Sequence, residues 1–284
     1  MSRHDRVTSR SVRPSPYWSE LADHHVRPDD IVLPEIEAKG PAGQDPISIT
    51  YSEMSSFLDC GMAFRLRNLI GFQPRLAQEL GYGKAVHHVL RAVAEFTTAN
   101  GRVPTDAEVE GIFQDEFFLP TANKPAHKQL RAAAERLVTV YRRNHEDDLH
   151  RIWETERPFE LHLDGVIVSG RADVILDKEN GVPTALAIVD YKTSTSGEIE
   201  DNALQLQVYS DAGRREGLDV RAAYVHDLKA TRRDAVDFAP TALDAAELVV
   251  TAAAARLRSR DYQPVPGFQC RSCEVRTVCS AARL

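Results

Sequence analysis

The run Ala185-Leu186-Ala187-Ile188-Val189-Asp190-Tyr191-Lys192 limits the fold more than any other segment of the chain. Its first five residues are apolar without alternation, so a strand made from them is hydrophobic on both faces and needs cover on both. The strand therefore reads as internal to a sheet with helices packed around it. Its polar end is equally constraining: a period of two puts Asp190 and Lys192 on the same face.

The residues before it supply neighbouring strands. Phe159, Leu161 and Leu163 alternate with Glu160 and His162, Asp164-Gly165 makes a hairpin turn, and Val166 to Leu176 continues as the next strand. With a further turn at Asn180-Gly181, these segments form a meander. A helix over about 202–216, a strand at 222–228, a short strand at 235–238 and a helix over about 241–259 follow. The first half of the chain has helical spacing instead. Ser52 is placed to cap a helix through Phe57, Arg65 and Leu69. A second helix over about 84–99 gathers Val86, Leu90, Val93 and Ala94, and a third over about 124–147 gathers Leu130, Ala134, Leu137 and Tyr141. Residues 1–47 are rich in Arg, Pro, Asp and Glu without periodicity, and read as a tail or extended connector before a domain over 48–284. The layout is α+β or α/β: a small mixed sheet with helices around it.

Composition narrows the class. The 284 residues are 43% hydrophobic and 27% charged, as in an ordinary globular chain. No apolar run approaches the roughly 18 residues of a membrane span, and the first residues have no apolar core of a secretory signal. The expected setting is the cytoplasm. A net charge of −7 excludes binding to nucleic acid by bulk electrostatics, so any such site must be a local patch.

An acid and an amine on one face of a strand end can share a phosphate and its metal, or form a plain ion pair. Asp173, in Gly170-Arg171-Ala172-Asp173, adds a second carboxylate. A loop spanning roughly Lys178 to Ala185 sets it opposite Asp190, and a strict two-residue turn at Asn180-Gly181 sets it opposite Ile188, on the same side. Pro183 favours the longer loop. Two close carboxylates repel unless a cation or proton lies between them, which suits a hard divalent ion. His87, near the start of the second helix, reads alone as a boundary histidine. Gln205 and Tyr209 lie one helical turn apart and can face one site. Cys270, Cys273 and Cys279 form C-x2-C-x5-C in the last fifteen residues, with Cys60 about 210 residues upstream. A single site using all the thiolates suits zinc or an iron–sulfur cluster, and spacing alone does not choose.

In this order the residues resemble the PD-(D/E)xK nuclease superfamily, of the RecB/AddB type with a C-terminal iron–sulfur staple, as also found in CRISPR-adaptation exonucleases. The resemblance covers about Ile47 to Cys279: Ile49-Thr50-Tyr51-Ser52 leading to Cys60, Gly83 with His87, Glu156, Gly170 to Asp173, Asp190-Tyr191-Lys192, Gln205 with Tyr209, and the terminal cysteines. It implies a restriction-endonuclease-like α/β fold with a small mixed sheet, an N-terminal helical region and a four-cysteine site joining the two ends. It implies that His87, Asp173 and Asp190 bind Mg2+ or Mn2+, with the Tyr191 carbonyl as a further ligand. Lys192 would orient the attacking water or stabilise charge on the phosphate. Gln205 and Tyr209 would support the site or contact the strand. Cys60, Cys270, Cys273 and Cys279 would hold a [4Fe-4S] cluster, with zinc as the alternative occupant. Two positions depart from the family pattern: Cys60-Gly61 stands where Cys-Pro is frequent, and Asp190 is the shorter of the permitted acids.

Ser9 to Tyr17 also resembles the end of a UvrD-type helicase core, although the chain contains no G-x4-G-K-[ST] motif for an ATP motor. The expected activity is thus a metal-dependent DNA nuclease, an exonuclease on single strands or DNA ends, acting in recombination or repair beside a UvrD-type helicase or other repair proteins. The rival expectation is a catalytically silent nuclease-fold scaffold that binds nucleic acid or a helicase. Local arginines for phosphates include Arg65, Arg67, Arg171, Arg214 and Arg215.

Overall fold

The computed structural model describes residues 6–7, 10–11, 46–72, 79–177, 184–193 and 199–282. It divides into two units, Met1–Ala42 and Gly43–Leu284. In the first, β1 (Arg6–Val7) and β2 (Arg10–Ser11) pair antiparallel. The rest of the helicase-like stretch and the Asn180-Gly181 turn lie outside the described residues.

The second unit opens with β3 (Ile47–Thr50), which runs directly into α1 (Tyr51–Asp59). Thr50, rather than Ser52, is the cap: its hydroxyl accepts from the Glu53 N–H at 3.2 Å while the Glu53 carboxylate accepts from the Thr50 N–H at 3.0 Å. This reciprocal pair satisfies two otherwise orphaned donors, and Ser52 falls in the first turn. The expected continuous helix to Leu69 is also corrected. Cys60 is extended, at φ −166° and ψ 108°, and separates α1 from α2 (Gly61–Phe64) and a π-helical turn, Arg65–Leu69. The break brings Gly61 against the backbone of Tyr262, where an added Cβ would lie 3.0 Å away.

A helical block follows. It comprises α3 (Tyr82–Asn100), α4 (Asp106–Glu116), α5 (Lys124–Asn144) and α6 (Glu146–His150). The sequence reading missed α4, although Thr105 and Glu108 repeat the capping pattern of Thr50 and Glu53. The third helix stops at Asn144 rather than 147 because His145 leaves helical geometry, at φ −128°.

The strands come next, β4 (Ile152–Leu163), β5 (Val166–Leu176) and β6 (Leu186–Lys192), antiparallel in succession as expected of a meander. After α7 (Ile199–Arg215), β7 (Val220–Asp227) returns parallel to β6, β8 (Arg232–Ala235) pairs antiparallel with β7, and α8 (Pro240–Arg258) closes the order. The sheet is mixed, in the order β3-β5-β6-β7-β8 with β4 on β5.

β5 organises the sheet. β4 occupies one edge along its length, so β3 and β6 must share the other: β3 pairs in parallel with Val166 to Ser169, and β6 pairs with Val174 to Leu176. Gly170 to Asp173 lie in the fork between them. Alternation then covers β6 on both faces. Leu186 and Ile188 pack with Phe57, Leu206, Tyr209 and Val250 from α1, α7 and α8. Ala187, Val189 and Tyr191 pack with Val86, Val93, Phe113, Val138 and Tyr141 from α3, α4 and α5. No helix among the described residues is long and apolar enough to cross a membrane.

Candidate active site

The register Val174↔Val189, continued by one step, sets Asp173 beside Asp190, as the longer loop requires. Asp173 is held from two sides: Oδ1 lies 3.0 Å from His87 Nδ1, and Oδ2 accepts from the Tyr191 N–H at 2.7 Å. His87 arrives on α3, whose start is seated by Gly83 against the hydroxyl of Thr193, a 3.1 Å approach for a Cβ. Asp190, only 3% exposed, forms an ion pair with Lys192, Oδ2 to Nζ 2.7 Å. Oδ2 of Asp190 is fully buried, with the Lys192 ammonium as its neighbour. Lys192 also donates to Gln205 Oε1 at 3.1 Å, and Gln205 Nε2 donates to the Tyr209 hydroxyl at 3.3 Å.

Gly170 is required by this arrangement. A Cβ there would collide with the Tyr209 hydroxyl, whose ring stacks on Phe159 and meets Tyr51 edge-on. All six side chains expected at one site, His87, Asp173, Asp190, Lys192, Gln205 and Tyr209, are thus brought together. Tyr191 contributes its backbone here, while its ring turns to the opposite face of the sheet with the α3–α5 helices.

The electrostatics follow from burial and from two acids side by side. Burial, then the charge of Asp173, raises the Asp190 carboxyl to about 6 despite the opposing charges of Lys192 and His87. Burial alone would lower His87, but its hydrogen bond to Asp173 and the charges of both acids reverse the direction and raise it. Burial pushes the Tyr209 phenol up to about 12, so it remains a neutral hydrogen-bonding group at ordinary pH.

Two grooves meet at the His87–Asp173 pair. One, about 630 Å³, is lined by Asp190, Lys192, Gln205, Tyr209 and Arg171; the other, about 400 Å³, by Lys84, Glu156 and Thr193. The register of β4 with β5 puts Glu156 across from Asp173, and Glu156 has the left-handed backbone, φ 51°, rare for a non-glycine residue. Thr50 and Tyr51 also line the larger of these two grooves; they belong to the Ile49–Ser52 stretch that carried part of the resemblance but was assigned no site role. A larger groove of about 770 Å³ surrounds Asp148, Arg151 and Arg233 at the far end of β6. Its arginines are paired with Asp148, Asp219 and the Asp177 carbonyl, whereas the acid pair expected from the sequence lies in the smaller grooves. Of the arginines singled out, Arg171 reaches the groove. Arg214 instead lies over the Phe238 ring, Arg215 pairs with Asp211 and Glu247, and Arg67 pairs with Glu274 beside the terminal cysteines.

At those cysteines the structure brings the distant segments together. The Val265 N–H points at Cys60 Sγ, 3.4 Å away, and Tyr262 packs against Phe57 and Phe64. Cys60, Cys270, Cys273 and Cys279 are free thiols. Among the described residues, no three His, Cys, Asp or Glu side chains stand in a ready-made cation cage, at this corner or at the acid pair.

The fold and site are those of an α/β protein whose central strand ends in an acid-x-lysine beside a second acid. A family model of the PD-(D/E)XK nuclease superfamily matches residues 48–280, and the chain belongs to that superfamily. Among solved structures, a putative exonuclease from Eubacterium rectale is similar at TM-score 0.50 and 16% identity, over 79% of this chain and 86% of that one, a likeness of fold. SSO0001 aligns at TM-score 0.40 and 13% identity, over 94% of this chain and 95% of that one. No curated protein matches the chain.

Members of the superfamily generally use Mg2+ or Mn2+. The donors here suit such an ion: Asp173 and the buried Asp190 set hard carboxylate oxygens side by side, and two adjoining acids favour a cation between them.

Proposed function

We propose that the chain is a metal-dependent deoxyribonuclease of the RecB/AddB type, an exonuclease on single strands or DNA ends, acting in recombination or repair. The observation that carries this reading is the buried Asp190 beside Asp173, with Lys192 paired to it at the open end of β6. Asp173, Asp190 and the Tyr191 carbonyl would hold Mg2+ or Mn2+, with His87 as the nitrogen donor. The ion would supply charge stabilisation on the phosphate and favour deprotonation of a nearby water. Lys192 presents its ammonium to the phosphate or to the attacking water. Gln205 aims that ammonium, and Tyr209 anchors Gln205. In the reaction, water oxygen bonds to phosphorus, the phosphorus–oxygen ester bond breaks, and the departing oxygen takes a proton. Arg171, exposed in the same groove, would bind the backbone of the strand.

The domain is proposed to span residues 48–284, with 1–47 as an N-terminal extension or linker that resembles the end of a helicase core. Cys60, Cys270, Cys273 and Cys279 would hold a [4Fe-4S] cluster. The adjacency of Cys60 to the terminal segment supports this, as does an N–H directed at its sulfur. A reducing cytoplasm suits the free thiols.

The test is cleavage of end-labelled single- and double-stranded DNA with and without Mn2+, alongside Asp190→Ala. Mn2+-dependent release of short products by the parent, lost in the variant, is expected. An Asp190→Ala protein as active as the parent overturns the site, and a parent that binds DNA without cutting it points to the scaffold instead.

A further inference from the structure

The face of the sheet opposite the acid pair contains a buried polar group that the reaction does not use. Tyr191 lies between Asp190 and Lys192, yet its ring points away from them and is 3% exposed. Its hydroxyl shares a 2.6 Å hydrogen bond with that of Tyr141, itself 2% exposed, in the middle of α5. The two rings are nearly perpendicular, with centroids 5.1 Å apart. On another side the Tyr191 ring meets the His87 ring edge-on, at 6.2 Å. Tyr191 thus bears on both contacts that fix Asp173: its ring packs on His87, and its own N–H is the donor to Asp173 Oδ2. A change in the seat of this one side chain displaces a proposed nitrogen ligand and a carboxylate together.

We propose that Tyr141 is a positioning residue of the active site, acting through Tyr191 to hold His87 and Asp173 in ion-binding geometry. The inference rests on the metal-dependent reading above. The Tyr141 ring is itself pinned, stacked on His145 at 5.0 Å and edge-on to the buried His226 at 5.2 Å, so it is a fixed point rather than a free side chain. A hydroxyl pair between two buried rings is directional, whereas apolar contact between the same rings would allow Tyr191 to slide. Groups one layer behind the ligands commonly change metal affinity about 10- to 100-fold when altered.

Stability and positioning can be separated experimentally. Tyr141→Phe leaves the Tyr191 hydroxyl buried without its partner and should lower both stability and ion affinity. The double variant Tyr141→Phe/Tyr191→Phe removes both hydroxyls, a change that can be nearly neutral for stability. Mn2+ binding to the full chain is followed by the electron paramagnetic resonance of the free ion, with thermal unfolding in chelator measured in parallel. About tenfold weaker binding is expected in both variants, while the unfolding temperature of the double variant returns toward that of the parent. Recovery of parental Mn2+ affinity in the double variant assigns Tyr141 a purely structural role and overturns the proposal, as does parental affinity in Tyr141→Phe. If Tyr141→Phe does not fold, the double variant alone decides. Parental Mn2+ binding that Asp190→Asn leaves unchanged instead removes the metal reading itself, a failure distinct from that of Tyr141.

Discussion

The acid pair and the cysteine corner are held by different means. At the acid pair, strand register does the positioning: β5 and β6 set Asp173 beside Asp190, and every supporting side chain comes from an element packed on those strands. At the corner, segments about 200 residues apart meet through an aromatic cluster at Tyr262, one N–H on Cys60 and an exposed Arg67–Glu274 pair. An exposed pair of that kind contributes little. The first region is built by secondary structure and can sacrifice a side chain without unfolding. The second joins distant segments, and its strength would come from the cluster proposed for its thiols.

The sharpest break of this comparison is to exchange the two kinds of damage. Asp190→Asn and Lys192→Ala should each reduce DNA cleavage by about 10³-fold or more while the circular-dichroism melt stays near the parent's. Asp190→Asn should even stabilise the protein, because burial and Asp173 already disfavour its charge. On the proposed cluster, Cys60→Ala or Cys270→Ala should do the reverse, releasing iron and sulfide and loosening the whole domain. Loop-closure entropy gives an upper guide of about 4–5 kcal/mol for so long a loop. Parental protease resistance in Cys270→Ala would remove the corner's structural role.

A smaller effect sharpens the first region. Gly170→Ala pushes Tyr209 off its seat, and with it Gln205 and Lys192, for a loss of about 10- to 100-fold in cleavage. A normal rate would mean that the Lys192–Gln205–Tyr209 relay does not matter.

Proton linkage offers a subtler test, read by urea unfolding in chelator. His226 is pushed down to about 4, by burial first and by Arg233 and His145 next. The unfolded chain binds its proton between about 4 and 6.5 while the native one does not, so stability from this group is full above 6.5 and lost as pH falls through the window. Asp190 has the opposite sign. Raised from 3.8 to about 6, it favours the native state at low pH, and that contribution is lost as pH rises through the interval. Asp190→Asn should therefore make the slope of stability against pH more positive, and an unchanged slope would contradict the burial of its charge. The smallest effect is expected at Thr50→Ala, which removes one half of the cap of α1 and should cost about 1 kcal/mol, with cleavage retained.

Much of the site was legible because its signals are local. Apolar alternation located β4, an unbroken apolar run located β6, the period of two paired Asp190 with Lys192, and Pro183 favoured the register that sets Asp173 beside Asp190. The helix faces around Val86 and Tyr141 were equally readable. What escaped depends on distant partners. β3 is only four residues long and is a strand by virtue of β5, far along the chain. The break at Cys60 answers to Tyr262, and Arg214 found the Phe238 ring rather than a phosphate. The role inferred for Tyr141 had no sequence signal, since a buried tyrosine on an apolar helix face looks like core until its hydroxyl partner is known. The caps at Thr50 and Thr105 are a different case: T-x-x-E was present at both, yet the sequence reading placed the first cap at Ser52 and missed α4.

The parallel pairing of β3 with β5 also has a consequence for folding kinetics. Ile47 and Val166 are joined only after α3 to α6 and the whole of β4 have been made, so this contact closes a loop of about 120 residues. Loop closure of that size is an entropic barrier that local helix formation does not share. The helices from Tyr82 to His150 can gain their contacts early, whereas Thr50 and Tyr51 take their places in the groove only when β5 is ready to receive them. The wall of the groove facing the acid pair thus rests on the longest-range pairing that β5 makes, the kind of contact that loop-closure entropy delays.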